Sequence, residues 1–352
     1  MKFLLIFLLM PLGVFAQKKH HSPTITFFPF GYYRTETSLA FGGMVVSFFR
    51  LNKQDTVSRV SNVSTSFTYT LRNQILGDIL YTLFTKNENY LFTGSVTYMK
   101  FPLYYFGTGT NSQNTNRVLV SQQNFNWTAR AYRKISKNTF VGVEYNFNYL
   151  FDVFPLKNTP FEEQLRTSEG VNSGFGLLFV RDSRDNMQSA KIGNYQEIAF
   201  NSYHKIFGSK YNYLTLKADV RQYLPISTRQ TLALQLLGLF TEGNFVPFHR
   251  QAMIGGEFLM RGYYNGRYRD NDLLACQLEN RIEFSRRWGM VVFGAVGGVT
   301  DRAYKFDVKN IKITGGLGLR FAIKPQNRLK IRFDVGFSEE GFGIYSGLSE
   351  AF

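Results

Sequence analysis

Cysteine is almost missing from this chain, with Cys276 standing alone among 352 residues. One thiol excludes a disulfide framework and a cysteine metal cluster. Histidine is scarce too, limited to His20, His21, His204 and His249, and motifs for metal or cofactor binding are correspondingly thin, so neither a cofactor nor a metal is expected. Acidic residues number 25 against 41 basic ones, for a formal charge of +16. Beyond the first sixteen residues no long apolar run occurs, which excludes a helical membrane protein. No internal repeat, low-complexity block or interdomain linker is visible, and the reading is of one domain.

What is present begins with a leader. Lys2 supplies a positive start, Phe3 to Phe15 an apolar stretch, and Val14-Phe15-Ala16 a cleavage site before Gln17. That stretch is shorter than the roughly 18 residues a spanning helix needs, so residues 1–16 read as a secretory signal peptide and 17–352 as the mature domain. No cysteine follows the cleavage site to carry a lipid. Export argues against nucleic acid as the partner of the basic surface. Phosphate-rich outer-membrane lipid is its natural counterpart, and scattered solvated charge is the plainer alternative.

Aromatic residues make up 17% of the chain, with 36 Phe and 21 Tyr, yet the mean hydropathy is −0.18. A period of two reconciles these facts, because it puts one residue set on each face of a strand. In 273–285, Gln277, Glu279, Arg281 and Glu283 alternate with Leu274, Cys276, Leu278, Ile282 and Phe284. In 329–337, Lys330, Arg332 and Asp334 alternate with Ile331, Phe333, Val335 and Phe337. Segments 63–71, 125–131, 141–149 and 213–221 behave alike. A soluble sandwich also alternates, but its core would rarely tolerate Glu279, Arg281 and Glu283 in succession on a buried face, nor would it leave a fully aromatic face in water. Charged-in and apolar-out is the pattern of a membrane-spanning barrel. The predicted fold is therefore all-β: a single transmembrane antiparallel β-barrel of about 16 strands, from 24–32 to 341–352, in the bacterial outer membrane. Connections after the second, fourth, sixth, twelfth and fourteenth strands read as short periplasmic turns, which makes the odd-numbered ones extracellular.

The longest connection carries Gly255-Gly256-Glu257-Phe258-Leu259-Met260-Arg261-Gly262-Tyr263-Tyr264, continuing through Arg267 and Arg269 to Asp270. Loops of this length without structure of their own are usually functional or disordered. Its Arg261-Gly262-Tyr263 core resembles the signature of the BamA/TamA-type bacterial surface antigen barrels. Phe27-Phe28-Pro29, Leu39 to Gly43, Tyr105 to Asn111, Gly316 to Phe321 and Arg332-Phe333-Asp334 resemble other strands and loops of that superfamily. Gly174 to Leu177 running into Arg181-Asp182-Ser183-Arg184-Asp185-Asn186 resembles its eighth-strand motif, and Phe352, with Tyr345 and Gly347, resembles its terminal assembly signal.

The resemblance implies that the loop folds into the lumen and that Arg261 is pinned by inward carboxylates. The family's thirteenth strand carries an aspartate for this, but here Ala295 stands at that place. Glu279 becomes the first candidate partner, followed by Glu283 and Asp334, while Arg267 and Arg269 are expected to be solvated. The family's large members carry periplasmic POTRA repeats, for which the few residues after Ala16 leave no room. The implied role is outer-membrane biogenesis by protein insertion, translocation or lipid handling, beside a separate periplasmic or outer-membrane protein partner. A small-solute pore is the rival. A lipid-hydrolysing barrel is a further one, since Ser202 and His204 would share a strand face, but Asn201 points away and no orienting group is evident. An enzyme is not expected.

Overall fold

The computed structural model describes residues 24–34, 38–52, 54–55, 57–156, 159, 161–324 and 328–352, so the leader 1–16 lies outside the described residues. Sixteen long strands follow one another. The first eight are β1 (Thr24–Arg34), β2 (Ser38–Phe49), β3 (Ser61–Thr70), β4 (Ile75–Phe84), β5 (Tyr90–Lys100), β6 (Val118–Ser136), β7 (Thr139–Pro155) and β8 (Gly170–Asp182). The second eight are β9 (Gly193–Tyr203), β10 (Tyr213–Ser227), β11 (Gln230–Gly243), β12 (Asp272–Glu283), β13 (Trp288–Thr300), β14 (Lys312–Lys324), β15 (Leu329–Ser338) and β16 (Gly341–Leu348). Each pairs antiparallel with the next. β16 comes back alongside β1, but among the described residues no ladder joins them.

The alternation sorts the two faces. Phe175, Leu177, Ile198, Leu236, Leu278, Val292, Leu317 and Phe337 are exposed on the outside, while Glu144, Glu197, Asp219, Glu279, Arg332 and Asp334 are buried inside. Carboxylates and guanidinium groups face one another across the lumen, and the apolar girdle meets lipid. No helix of the described residues is long and apolar enough to cross a membrane; strands do the crossing.

Connections at one mouth are mostly tight, as at 137–138, 228–229 and 284–287. The connection 50–60 is an exception to the expected short turn. Asp55 accepts from the N–H groups of Val57 and Ser58, both at 3.0 Å, and of Asn87 at 3.1 Å, so Asp55, Val57 and Ser58 are held against 85–89. Arg59 then reaches Glu88 at 3.0 Å and Asp182 at 3.7 Å. At the other mouth, 101–117 adds a short strand, Leu103–Tyr105, on the end of β6. Among the described residues between β7 and β8 lies a helix, α1 (Glu162–Thr167). Tyr105, Leu165 of α1 and Phe248 of the longest connection meet in one apolar cluster with Val120, Leu150 and Val153, roofing that mouth. The last strand ends at Leu348, short of the expected 352. Ser349 takes φ of 66°, and the final residues turn inward.

Candidate functional site

Residues 244–271 leave β11 and enter the lumen. A two-strand ribbon, Ala252–Ile254 with Tyr268–Asp270, frames the segment. Its apolar side chains give it a core of its own. Ala252, Ile254, Met260, Tyr263 and Tyr268 pack with wall residues Leu273, Ala275, Ala295 and Val299. Ala295, which departs from the family pattern, is thus covered by the loop, and its small side chain leaves room for Met260 and Tyr263.

At the tip of this fold-back Arg261 is 1% exposed, and Glu279 and Asp334 are both 0%. Nη2 of Arg261 donates to Glu279 Oε1, and Nη1 donates to Asp334 Oδ2 at 2.5 Å. The guanidinium also lies 3.6 Å from the ring centroid of Phe293 on β13, a favourable cation–π arrangement. Both carboxylates are shared. Arg281 Nη2 reaches Glu279 Oε2 at 2.7 Å, and Arg320 Nη1 reaches Asp334 Oδ1 at 2.5 Å. Arg332 holds Glu257, from the same loop, at 2.8 Å. The result is a dry chain of alternating charge across β12, β14 and β15. Each buried ion in it is offset by a partner, which is the condition for tolerating such charges at all.

The backbone closes the same contact. Gly262 sits at φ of 125°, where a side chain would be strained, and a Cβ there would lie 2.7 Å from the carbonyl carbon of Phe337. A Cβ on Gly336 would lie 2.5 Å from Arg261 C and O. Loop and β15 therefore touch backbone to backbone. Tyr345 of β16 adds the last tie: its hydroxyl accepts from Gly262 N at 3.1 Å and donates to Tyr263 O at 3.1 Å. The final strand of the barrel thus grips the loop directly.

Two expectations are corrected. Glu283 does not approach Arg261. It lies near the other mouth and takes Lys191 at 2.5 Å and Lys330 at 3.0 Å, because strand rise carries it beyond the loop's reach. Arg267 and Arg269 are not solvated, being 3% and 1% exposed. Arg267 Nε donates to Glu340 at 2.7 Å and Nη1 to Ser112 Oγ at 2.9 Å, pinning 101–117 to the loop. Arg269 has no carboxylate among the described residues. It donates to Phe248 O at 3.1 Å and lies over Tyr105, and burial lowers its pKa to about 10. Beyond the Arg261-Gly262-Tyr263 resemblance, the sequence carries no signal that Arg267 and Arg269 are buried as well.

The eighth-strand motif builds the opposite mouth. Arg184 forks onto Asp182 at 2.8 and 3.0 Å and covers the Tyr195 ring. Asp185 accepts from Lys191 N and takes Arg328 at 2.5 Å, while Arg181 is exposed. Phe352 is buried with Ala190, Tyr223 and Ala233, and Arg281 lies 5.3 Å from its ring centroid. Glu350, where an aromatic would match the family pattern, carries a salt bridge to Arg320 at 2.6 Å and another to Lys330 at 3.3 Å. Reading the sequence by strand face misses Glu350, since it lies beyond the last strand. His204 is engaged locally, its Nδ1 accepting from Ile206 N at 3.1 Å.

One titration is accessible at the roofed mouth. Burial, with Asp301 and Asp272 adding like charge, raises the Asp270 pKa from 3.8 to about 6. A raised carboxylate pKa means that the folded loop favours the protonated form. The resulting stability is fully present below about pH 4 and is lost as pH rises through about 6. Amide protection factors in 101–117 and 252–270, with the intrinsic pH dependence of exchange divided out, should therefore rise between pH 7 and pH 5, and Asp270→Asn should abolish that rise. Equal pH response in the variant would assign the effect to another group.

Residues 59–352 match the model of the Omp85 superfamily domain. Among solved structures, BamA from Haemophilus ducreyi lacking POTRA domains 1-3 aligns with a TM-score of 0.62 at 13% identity, over 94% of this chain and 71% of that one. CdiB from Acinetobacter baumannii gives 0.62 at 13% identity, covering 94% and 60%, and CdiB from Escherichia coli gives 0.60 at 9%, covering 95% and 64%. The chain thus spans less than two thirds of either CdiB structure. At such identities the likeness is one of fold. Comparison with curated proteins finds no match.

Proposed function

The chain belongs to the Omp85 superfamily, whose domain covers residues 59–352, and from that premise we propose that this outer-membrane barrel inserts or translocates other proteins, working beside a separate periplasmic or outer-membrane partner. The observation that carries the reading is the seam. Fifteen neighbouring strand pairs hold ladders, whereas among the described residues β1 and β16 lie side by side with none. An unpaired edge in lipid leaves backbone N–H and C=O groups without water or partner. Such an edge is also a template on which another chain can add a strand. The pinned loop complements it. Through Tyr345 it steadies β16, and through Arg261 it ties β12 to β15, so the barrel keeps its shape while one seam stays weak.

The test locks the seam. In a Cys276→Ser background, cysteine pairs scanned across β1 (25–31) and β16 (343–348) would be oxidised in liposomes. Assisted folding of an unfolded outer-membrane barrel would then be followed by its gel shift. Assistance should disappear on oxidation and return with reductant, while a lock across the β1–β2 pair Phe27↔Val45 should leave it intact. Undiminished assistance with a fully formed seam lock would end the proposal.

A further inference from the structure

At the mouth made by the connections 183–192 and 284–287, beside Arg328, lies a cavity of about 310 Å³, within the range of small-ligand sites. Its inner wall holds Arg281, Arg320 and Lys330, and its rim holds Lys191, Arg286, Arg287 and Arg328. Among the described residues only two carboxylates, Glu283 and Glu350, line it. Both are spoken for: Glu283 by Lys191 and Lys330, Glu350 by Arg320 and Lys330.

The cations are not all satisfied in return. Arg281 and Arg320 are buried, yet Arg281 Nη1 and Arg320 Nη2 have no hydrogen-bond partner among the described residues. Buried donors without acceptors are costly, and an incoming acceptor would recover that cost. On the rim, Arg328 is paired with Asp185, but the neighbouring Arg286 and Arg287 are exposed, and among the described residues neither has a carboxylate partner. Arg287 stands over the Phe321 ring, which packs on Trp288 at 4.9 Å. Trp288 is half exposed on the outer face, where an indole marks the interface of the lipid.

We infer that this cavity is an anion site that takes a phosphate group, with Arg281 and Arg320 as the inner donors and Arg286 and Arg287 as the rim. Guanidinium groups suit phosphate because their paired donors match its oxygens. A free phosphate and a phospholipid headgroup share this chemistry, and the experiment separates them. The site does not depend on the seam or on any client, so it stands or falls independently of the insertion reading.

The full-length protein in detergent would be titrated with inorganic phosphate, with a short-chain phosphatidylglycerol and with the matching phosphatidylcholine, following Trp288 fluorescence and native mass spectra. Arg286→Glu/Arg287→Glu changes only exposed turn residues, and an unaltered heat-modifiable gel shift would show that it folds. Wild type should bind an anion at least tenfold more tightly than this variant, and the milder Arg286→Gln/Arg287→Gln should fall between. Phosphatidylglycerol bound tenfold tighter than inorganic phosphate identifies a headgroup site. Equal affinity identifies a free-anion site. Equal binding of phosphatidylcholine and phosphatidylglycerol, or unchanged anion binding in the folded charge-reversed variant, would overturn the inference.

Discussion

Arg261→Ala should lower the barrel's resistance to unfolding by about 3 kcal/mol, the lower end of the range for breaking a buried ion pair. The lower end applies because neither carboxylate is abandoned: Glu279 keeps Arg281, and Asp334 keeps Arg320. What is lost is the loop side chain that spans both acids. Arg261→Lys should recover little, since one ammonium cannot reach two carboxylates with two parallel nitrogens. Urea unfolding in detergent, read by gel shift, measures the effect, with exposed Arg286→Ala as the reference. A double-mutant cycle between Arg261 and Glu279 should give coupling above about 1 kcal/mol. The same cycle with Glu283 should give almost none. Coupling near zero for both Glu279 and Asp334 would show that the loop is held by packing alone.

Gly336→Val should expel the loop. The added carbons would occupy the space of the Arg261 carbonyl, whose C and O lie 2.5 Å from the position of a Cβ. Backbone cannot retreat as a flexible side chain can. The loop would have to give up its contact with β15, and with it the Arg261 pairs and the Tyr345 tie. The pore should then conduct several-fold more than wild type in planar bilayers, and trypsin should cut after Arg261, Arg267 or Arg269. Deleting 255–270 should produce a similar conductance. Gly77→Val is the matched control, because a Cβ at Gly77 meets nothing within 4 Å. If Gly336→Val stays closed and protected from trypsin, the loop does not fill the lumen in the way described.

Both variants act where local sequence and distant structure meet, and that boundary shows what was legible beforehand. The period of two assigned faces correctly for Gln277, Glu279 and Arg281, because strand geometry leaves a side chain no other choice. The same rule put Glu283 in the lumen but could not say at what height, so it left Glu283 as a candidate partner behind Glu279. Height along the axis depends on how far a 28-residue connection, 244–271, reaches before it turns, and no local pattern encodes that distance.

The sequence by itself determined the class of the molecule. Alternating charged and aromatic residues, a lone cysteine and the lack of long apolar runs admit a sixteen-strand barrel in lipid, and the Arg261-Gly262-Tyr263 loop singles out the segment within it. Tertiary structure alone decided the partners. Arg267 and Arg269 look like solvated loop residues but are buried, because other loops close over them. Glu350 looks like a defect in a terminal strand, yet it turns inward to Arg320 and Lys330. The physical reason is the reach of each effect. Periodicity follows from neighbouring dihedrals, whereas an ion pair between Arg261 and Asp334 forms only after the whole sheet has curled and brought residues 73 positions apart into one dry cavity.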